Sequence, residues 1–472
     1  MLYSPSKFKT NYSFFTATGS DFYSRDPSGL NPGNDTAAMT VRRFLYVLII
    51  VLNILICTPA LLPAQDSTRT DKPIKEILII GNEHTGENVI RRELLVKAGE
   101  IPTPEQLNES QRRLLNLSLF NRVELALVGL DETYDVLIID VTERLFFYPV
   151  PIFSINERDW EKISYGLALV HANFRGQNEK LWAGFWLGYR PGFSLTYSDS
   201  WAADSLHLAL GFSASRYIYN HRTLDIEEHH LNNQFSIGKW WSLYFLSELA
   251  LKFENIAVKQ EYTGLMHSGK RTENQFGIQL GIRHDTRDLY FYPSSGWFNR
   301  IYLYQNGLFQ DYDKYEQLIM DNRFYLPVGP LILACRYYQN YLFGQVPVYR
   351  LNYIGFNERI RGHFYTEKEG RHVNTGSVEI RFPILPIVYY SFNIPPIPER
   401  YLKNLKLGLS GCLFMDSGII WNQADQYGIN NFDTGFGVGL HLHLPYVEVF
   451  RFDYAFNREF RGQLILETWI AF

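Results

Sequence analysis

The feature that most constrains the fold of this chain is a long stretch of alternating apolar and polar residues. From Leu145 to the C terminus, segments of about ten to fifteen residues recur between turn or polar clusters, and none has helical periodicity. One segment alternates apolar Leu206, Leu208, Leu210 and Phe212 with His207, Ala209 and Gly211. A period of two predicts strands with one apolar and one polar face. Residues 145–472 are therefore predicted to be mainly β.

Two architectures produce this alternation. In a soluble sandwich the apolar face is the core, whereas in a membrane barrel it faces lipid. Aromatic residues make up 16% of the chain, and Tyr and Trp favour the membrane interface. We count 16 segments, an even number as a bacterial barrel requires, starting near residues 150, 162, 179, 191, 204, 228, 243, 273, 296, 314, 329, 374, 404, 433, 446 and 462. The aromatic content, the long loops and a secretory signal favour a transmembrane β-barrel.

The secretory signal is predicted at residues 39–64. Two arginines precede an apolar run from Phe44 to Leu62, and Ala64 suits cleavage. A membrane anchor is the alternative, because the run is nearly long enough to span a bilayer. Residues 1–38 are polar and aromatic without periodicity, and Met39 lies just before the arginines. This pattern is typical of a start assigned too far upstream or of a disordered extension.

Charge and cysteine content argue against several classes of function. The chain has 45 Lys+Arg against 49 Asp+Glu, a net charge of -4, which does not favour a nucleic-acid partner. Cys57, Cys335 and Cys412 are too few for a disulfide framework and show no metal-ligand spacing among themselves. We therefore expect no metal site, no other cofactor and no nucleic-acid partner.

Residues 73–144 have the pattern of a small α+β module that precedes the predicted barrel. The predicted elements are a strand over 74–80, helical patterns over 86–96 and 104–119, and strands over 123–128 and 134–141. This β-α-α-β-β order, with Gly81-Asn82 after the first strand and Leu119-Phe120-x-x-Val123 entering the second, resembles a POTRA domain. The resemblance implies a module that adds extended polypeptide to a sheet edge. Another small α+β domain is the alternative.

Four motifs in the predicted barrel are simple turns or strand ends when each is taken alone. They are, in chain order, Asn173-Phe174-Arg175-Gly176-x-x-Glu179; Asp285-Thr286-Arg287-Asp288 with Pro293 and Gly296; Ile360-Arg361-Gly362-His363; and Phe414-x-Asp416-x-Gly418. Together they resemble the BamA/TamA-type superfamily of outer-membrane assembly and translocation barrels, the bacterial surface antigen family. The resemblance covers about residues 74–472 and implies one POTRA domain before a 16-stranded barrel.

The resemblance also implies a role for the loop that carries Arg361 and Gly362. In the family this loop folds into the barrel lumen and meets the strand with the Phe-x-Asp-x-Gly motif, so Arg361 and Asp416 are expected to form a loop lock. Arg suits this role because its planar fork grips a carboxylate with two parallel bonds. His363 stands where an aromatic residue is usual in the family.

The last strand is expected to end the barrel with a recognition signal. Leu464, Leu466, Thr468, Ile470 and Phe472 share one face. A terminal aromatic resembles the signal of bacterial outer-membrane barrels, so Phe472 is expected to serve as this signal and to lie on the lipid-facing row.

The resemblance implies an outer-membrane assembly or translocation factor, with its barrel in the bacterial outer membrane and its POTRA domain in the periplasm. The expected partners are outer-membrane lipid, unfolded outer-membrane or secreted client proteins, and periplasmic accessory proteins bound through the POTRA domain. Two alternatives stay open, namely a substrate-specific pore or secretion channel and a barrel-borne lipid-modifying enzyme. No catalytic residues are expected, because nucleophile-elbow and zinc-protease motifs do not occur. The pairs His229-His230 and His441/His443 are more typical of polar lumen lining.

Overall fold

The computed structural model describes residues 71–472, except for 156–159, 221–225, 356–357, 364–367, 396–397 and 469. The predicted signal peptide at 39–64 and the segment 1–38 lie outside the described residues. No helix within the described ranges is long and apolar enough to cross a bilayer.

The N-terminal module is a three-stranded sheet with two helices. Its elements are β1 (Ile74–Ile80), α1 (Glu87–Arg91), α2 (Pro104–Asn116), β2 (Phe120–Gly129) and β3 (Asp135–Glu143). Strand β3 lies in the centre, parallel to β1 and antiparallel to β2. Helix α2 begins with a capping box between Thr103 and Gln106, and its Leu114 is buried in the core of the module. The predicted β-α-α-β-β order is confirmed.

The rest of the described chain forms a 16-stranded antiparallel sheet typical of a barrel. Its strands are β4 (Phe147–Ile155), β5 (Ile163–Phe174), β6 (Glu179–Gly188), β7 (Gly192–Ala203), β8 (Leu208–Asn220), β9 (Glu227–Trp240), β10 (Phe245–Val258), β11 (Thr272–Asp285), β12 (Gly296–Asn306), β13 (Tyr315–Val328), β14 (Leu331–Gly344), β17 (His372–Tyr390), β18 (Leu405–Trp421), β19 (Asp433–Leu444), β20 (Glu448–Asn457) and β21 (Gly462–Thr468). A long loop between β14 and β17 contains the small hairpin of β15 (Asn352–Ile354) and β16 (Lys368–Gly370). The predicted count of 16 strands is confirmed.

Exposure shows which face of the sheet is outside. On β20, Phe452 and Tyr454 are 40% and 45% exposed, whereas Arg451 and Asp453 are buried. A sandwich would have the opposite arrangement. The apolar face is therefore the outer surface, as in a membrane barrel, and charged side chains fill the lumen.

The chain turns inward after β21. Phe472 is 2% exposed, its ring centroid lies 6.4 Å from that of Tyr325 on β13, and the guanidinium carbon of Arg381 on β17 lies 5.4 Å from its ring. The expectation that Phe472 lies on the lipid-facing row is therefore wrong. The alternation of β21 ends at Thr468, so it does not determine the direction of the last side chain.

The N-terminal module contacts the turns at the end of the sheet where the chain enters β4. Asn116, at the end of α2, donates to the carbonyl of Asp288 at 2.9 Å and accepts from the N–H of Tyr290 at 2.8 Å. Burial raises the pKa of Tyr290 to about 12, so this phenol is neutral at physiological pH. Two further contacts are Gly86 N–H to the Gly176 carbonyl and Asn404 to Thr142, each at 2.9 Å.

Asn116→Leu is expected to loosen the module from the β11–β12 turn. The change leaves the Asp288 carbonyl and the Tyr290 N–H without this partner. The loss in stability is about 1–3 kcal/mol for each of the two groups that stays buried. Hydrogen exchange of residues 286–295 should become faster. Asn108→Leu, at an exposed position of the same helix, is the matched control and should leave the exchange unchanged. Equal exchange in the two variants would contradict this role of Asn116.

Candidate functional site

The long loop between β14 and β17 places Arg361 in the lumen, where the side chain is buried. Its guanidinium donates two parallel hydrogen bonds to Asp416 of β18, with Nε to Oδ2 at 2.7 Å and Nη2 to Oδ1 at 2.8 Å. The backbone N–H of Arg361 donates to the same carboxylate at 3.1 Å. Nη1 donates to Glu379 of β17 at 2.7 Å and to Asp453 of β20 at 3.3 Å. One loop residue is therefore bonded to three strands.

An aromatic ring and two glycines allow this close approach of the loop. The guanidinium carbon of Arg361 lies 3.6 Å from the ring centroid of Phe414, a cation–π contact. Gly362 has a φ of +92°, and a Cβ there would lie 2.4 Å from a backbone carbonyl oxygen of β20. A Cβ at Gly418 would lie 2.8 Å from the side chain of Ile360. Larger residues at either glycine would force the loop away from the wall.

Arg361 belongs to a row of alternating charges along the lumen wall. The row runs Arg381, Glu379, Arg361, Asp453, Arg451, Glu467 and Arg359, each paired with the next. Buried charges are stable only when they are paired. Removing one residue of the row would therefore leave its neighbours as unpaired buried charges, which destabilises the fold. The loop thereby contacts β17, β18 and β20 through Arg361, and the last strand β21 through the Arg359–Glu467 pair.

A second ion pair holds the loop on its other side. Both nitrogens of the Arg336 fork on β14 donate to the carboxylate of Glu358, each at 2.9 Å. His363 donates from its Nε2 to the carbonyl oxygen of Thr434 at 3.1 Å, so its ring position is also defined. Only a donating Nε2–H satisfies a carbonyl, which selects that tautomer. Loop residues 358–363 are thus held from both flanks.

The Asp285-Thr286-Arg287-Asp288 motif lies in the turn between β11 and β12, at the end of the sheet opposite to the one where the long loop joins β14 and β17. Arg287 donates to both oxygens of Asp285 at 2.8 Å, and Asp288 accepts from two serine N–H groups of the same turn. Gly296 has a φ of +103°, and a Cβ there would meet a backbone oxygen at 2.2 Å. The carbonyl of Pro293 faces Arg381 at 3.5 Å. This motif builds the turn that contacts the N-terminal module.

Sequence reasoning identified Arg361 and Asp416 but missed Glu379 and Asp453. Both lie at buried, lumen-facing positions of predicted strands, and a carboxylate at such a position was the available signal. Strand register determines which polar lumen side chains contact the guanidinium of Arg361, and the sequence does not show this register.

Comparison with protein families gives two matches along this chain. The model described as the Omp85 superfamily domain matches residues 173–463, and a POTRA model described as surface antigen variable number repeat matches residues 73–144. Among curated proteins, the outer membrane protein assembly factor BamA of Neorickettsia risticii is 37% identical over 71 residues. The match covers 15% of this chain and 10% of that relative's length.

Comparison with solved structures gives matches of low sequence identity. CdiB from Escherichia coli has a TM-score of 0.52 at 10% identity, over 84% of this chain and 75% of that chain. BamA from Haemophilus ducreyi lacking POTRA domains 1–3 has a TM-score of 0.48 at 16% identity, over 85% of this chain and 84% of the other. At such identities the similarity to CdiB is evidence of the fold alone.

Proposed function

The chain belongs to the Omp85 superfamily, and from this premise we propose that it is an outer-membrane assembly or translocation factor. It would receive unfolded outer-membrane or secreted proteins in the periplasm and insert or pass them at the barrel. We assign residues 73–144 to a periplasmic POTRA domain, which would also bind accessory proteins, and residues 145–472 to a barrel in a bacterial outer membrane. The observation that best supports the proposal is that β4 and β21 are the two end strands of the 16-stranded sheet.

Strands β4 and β21 each pair on one side only within the described ranges, β4 with β5 and β21 with β20. Backbone groups at a sheet end need hydrogen-bond partners when they lie in lipid. A client strand could supply these partners. Strand β21 is only seven residues long, and Phe472 lies in the lumen, away from a continuation of the strand. These features support a seam between β4 and β21 that accepts an extended segment.

The POTRA domain supports the same function through its sheet edges. Because β3 is central, β1 and β2 are the edge strands. Leu78 and Ile80 on β1 and Val128 on β2 are 43%, 49% and 47% exposed. Exposed apolar side chains along an edge fit an extended apolar segment that adds to the sheet. A client could therefore be held near the seam before insertion.

Depletion of the protein with quantitative proteomics of the outer membrane and the medium tests the proposal. Loss of β-barrel proteins, or of one secreted protein, is expected, and a plasmid copy of the wild-type chain should restore it. Unchanged protein levels with altered lipid structure would favour the lipid-modifying enzyme. Unchanged protein levels with loss of uptake of one small solute would favour the pore. Either of these two results would refute the proposal.

A further inference from the structure

We propose that Cys412, His441 and Asp453 form a binding site for a thiophilic divalent cation, best matched by Zn²⁺, on the lumen side of β18, β19 and β20. The three residues are buried and lie on three neighbouring strands. The site does not depend on the proposed function, because it follows only from the geometry of these strands.

Three potential ligand atoms converge. The Sγ of Cys412 lies 3.3 Å from Nε2 of His441, and Oδ1 of Asp453 lies 3.9 Å from the same nitrogen. All three atoms lie within 4.8 Å of one another. Ligand atoms around a tetrahedral zinc ion are separated by roughly 3.3–3.8 Å, as follows from the usual bond lengths. Small side-chain rotations would bring the three atoms to this spacing.

One carboxylate oxygen of Asp453 is available to bind a cation. Its Oδ2 accepts from Arg451 at 2.7 Å and from Arg361 at 3.3 Å. Its Oδ1 is buried and has no hydrogen-bond partner among the described residues. A buried carboxylate oxygen without a partner is costly, and such groups in folded proteins call for an unseen water or ion. A cation between Asp453, Cys412 and His441 would satisfy it.

Gly439 leaves room for an ion between two of the ligands. It lies on β19 directly opposite Cys412 on one side and Asp453 on the other. A Cβ at this position would lie 2.7 Å from Sγ of Cys412 and 2.3 Å from Oδ1 of Asp453. A side chain of any size would therefore fill the space where the ion would be bound.

The same three residue types could instead suggest a nucleophilic triad. In a triad the carboxylate orients the imidazole nitrogen that is remote from the nucleophile. Here Cys412 and Asp453 both face Nε2 of His441, whereas Nδ1 lies 3.0 Å from the hydroxyl of Tyr292. Convergence on one nitrogen is the arrangement of metal ligands, and a hydrogen bond at the other nitrogen is typical of a metal-bound histidine.

The ligand set determines the class of ion. Thiolate and imidazole are ligands of zinc and of related transition metals, while Mg²⁺ and Ca²⁺ prefer oxygen. On binding, the Cys412 thiol would release its proton to solvent and bind as the thiolate. Three protein ligands leave a fourth position for water. The ion would join β18, β19 and β20 from inside, beside the carboxylates that hold Arg361.

The test uses the full chain, purified in detergent without a histidine tag and titrated with Zn²⁺ or with Co²⁺ as a spectroscopic probe. We expect one equivalent of metal per chain and a thiolate-to-cobalt charge-transfer band. Cys412→Ser should remove the band and weaken Zn²⁺ binding by at least about tenfold, given that loss of an outer-shell partner alone costs 10–100-fold. Cys335→Ser is the matched control and should bind as the wild type.

Gly439→Ala provides an independent arm of the test, because it retains all three ligands and fills the space between them. It should prevent binding while heat-modifiable gel migration shows that the barrel is folded. Equal Zn²⁺ binding by the wild type and Cys412→Ser would overturn the proposal, as would the lack of binding by the folded wild type at micromolar Zn²⁺. Wild-type binding by Gly439→Ala would also overturn it, since the ion could not then lie where we place it.

Discussion

Arg361→Ala is expected to release the long loop from the barrel wall. The substitution leaves the buried carboxylates of Asp416, Glu379 and Asp453 without their shared cation. Breaking a buried ion pair by removing one partner costs about 3–5 kcal/mol, far more than the loss of an exposed pair. We expect a lower unfolding midpoint in detergent, measured by heat-modifiable migration, and faster proteolysis within residues 345–371.

A double-mutant cycle measures whether Arg361 and Asp416 act together. Asp416→Ala should lower the free energy of unfolding less than Arg361→Ala does, because Glu379 and Asp453 still pair with the Arg361 guanidinium. The double variant should be no worse than the worse single variant. Additivity within about 0.5 kcal/mol would show that the two residues do not interact.

Two control variants accompany the cycle. Lys314→Ala removes an ion pair with the fully exposed Asp311 and should leave the unfolding midpoint unchanged. His363→Ala removes a hydrogen bond to the Thr434 carbonyl and a 3.9 Å contact with Asp433, and it should lower the unfolding midpoint less than Arg361→Ala. If His363→Ala is as damaging as Arg361→Ala, the loop lock is not centred on the arginine.

Phe472→Ala is expected to free the C-terminal residues from the lumen. The ring is buried, and truncating a buried Phe to Ala costs about 3–5 kcal/mol. The change also removes the ring beside Arg381, which itself belongs to the row of charges around Arg361. We expect less folded protein in the outer membrane and a lower unfolding midpoint of the fraction that is assembled.

Two further variants separate packing from recognition of the terminal aromatic. Phe472→Tyr keeps an aromatic terminus and most of the packing, so its membrane level should be close to that of the wild type. Leu464→Ala, at an exposed position of β21, should have a small effect on both measurements. Wild-type levels and an unchanged midpoint for Phe472→Ala would show that the ring contributes neither to assembly nor to packing.

The sequence by itself determined the strands and the order of the two parts. A period of two is a local property, so each segment could be recognised without its partners, and every predicted start lies within about four residues of an observed one. The second helix before the barrel begins at Pro104 as predicted, because a proline at the first helical position is a local signal, whereas the first helix spans only Glu87–Arg91 of the predicted 86–96. The pairing of Arg361 with Asp416 came from family resemblance, not from periodicity.

Only the tertiary structure decided which face of the sheet is outside, where Phe472 lies and which polar side chains meet. Alternation is identical in a sandwich and a barrel, and it ends with β21 at Thr468. Cys412, His441 and Asp453 have no characteristic spacing, because strand register brings them together across β18, β19 and β20. Local periodicity is encoded in neighbouring residues, whereas convergence of side chains depends on pairing between distant segments.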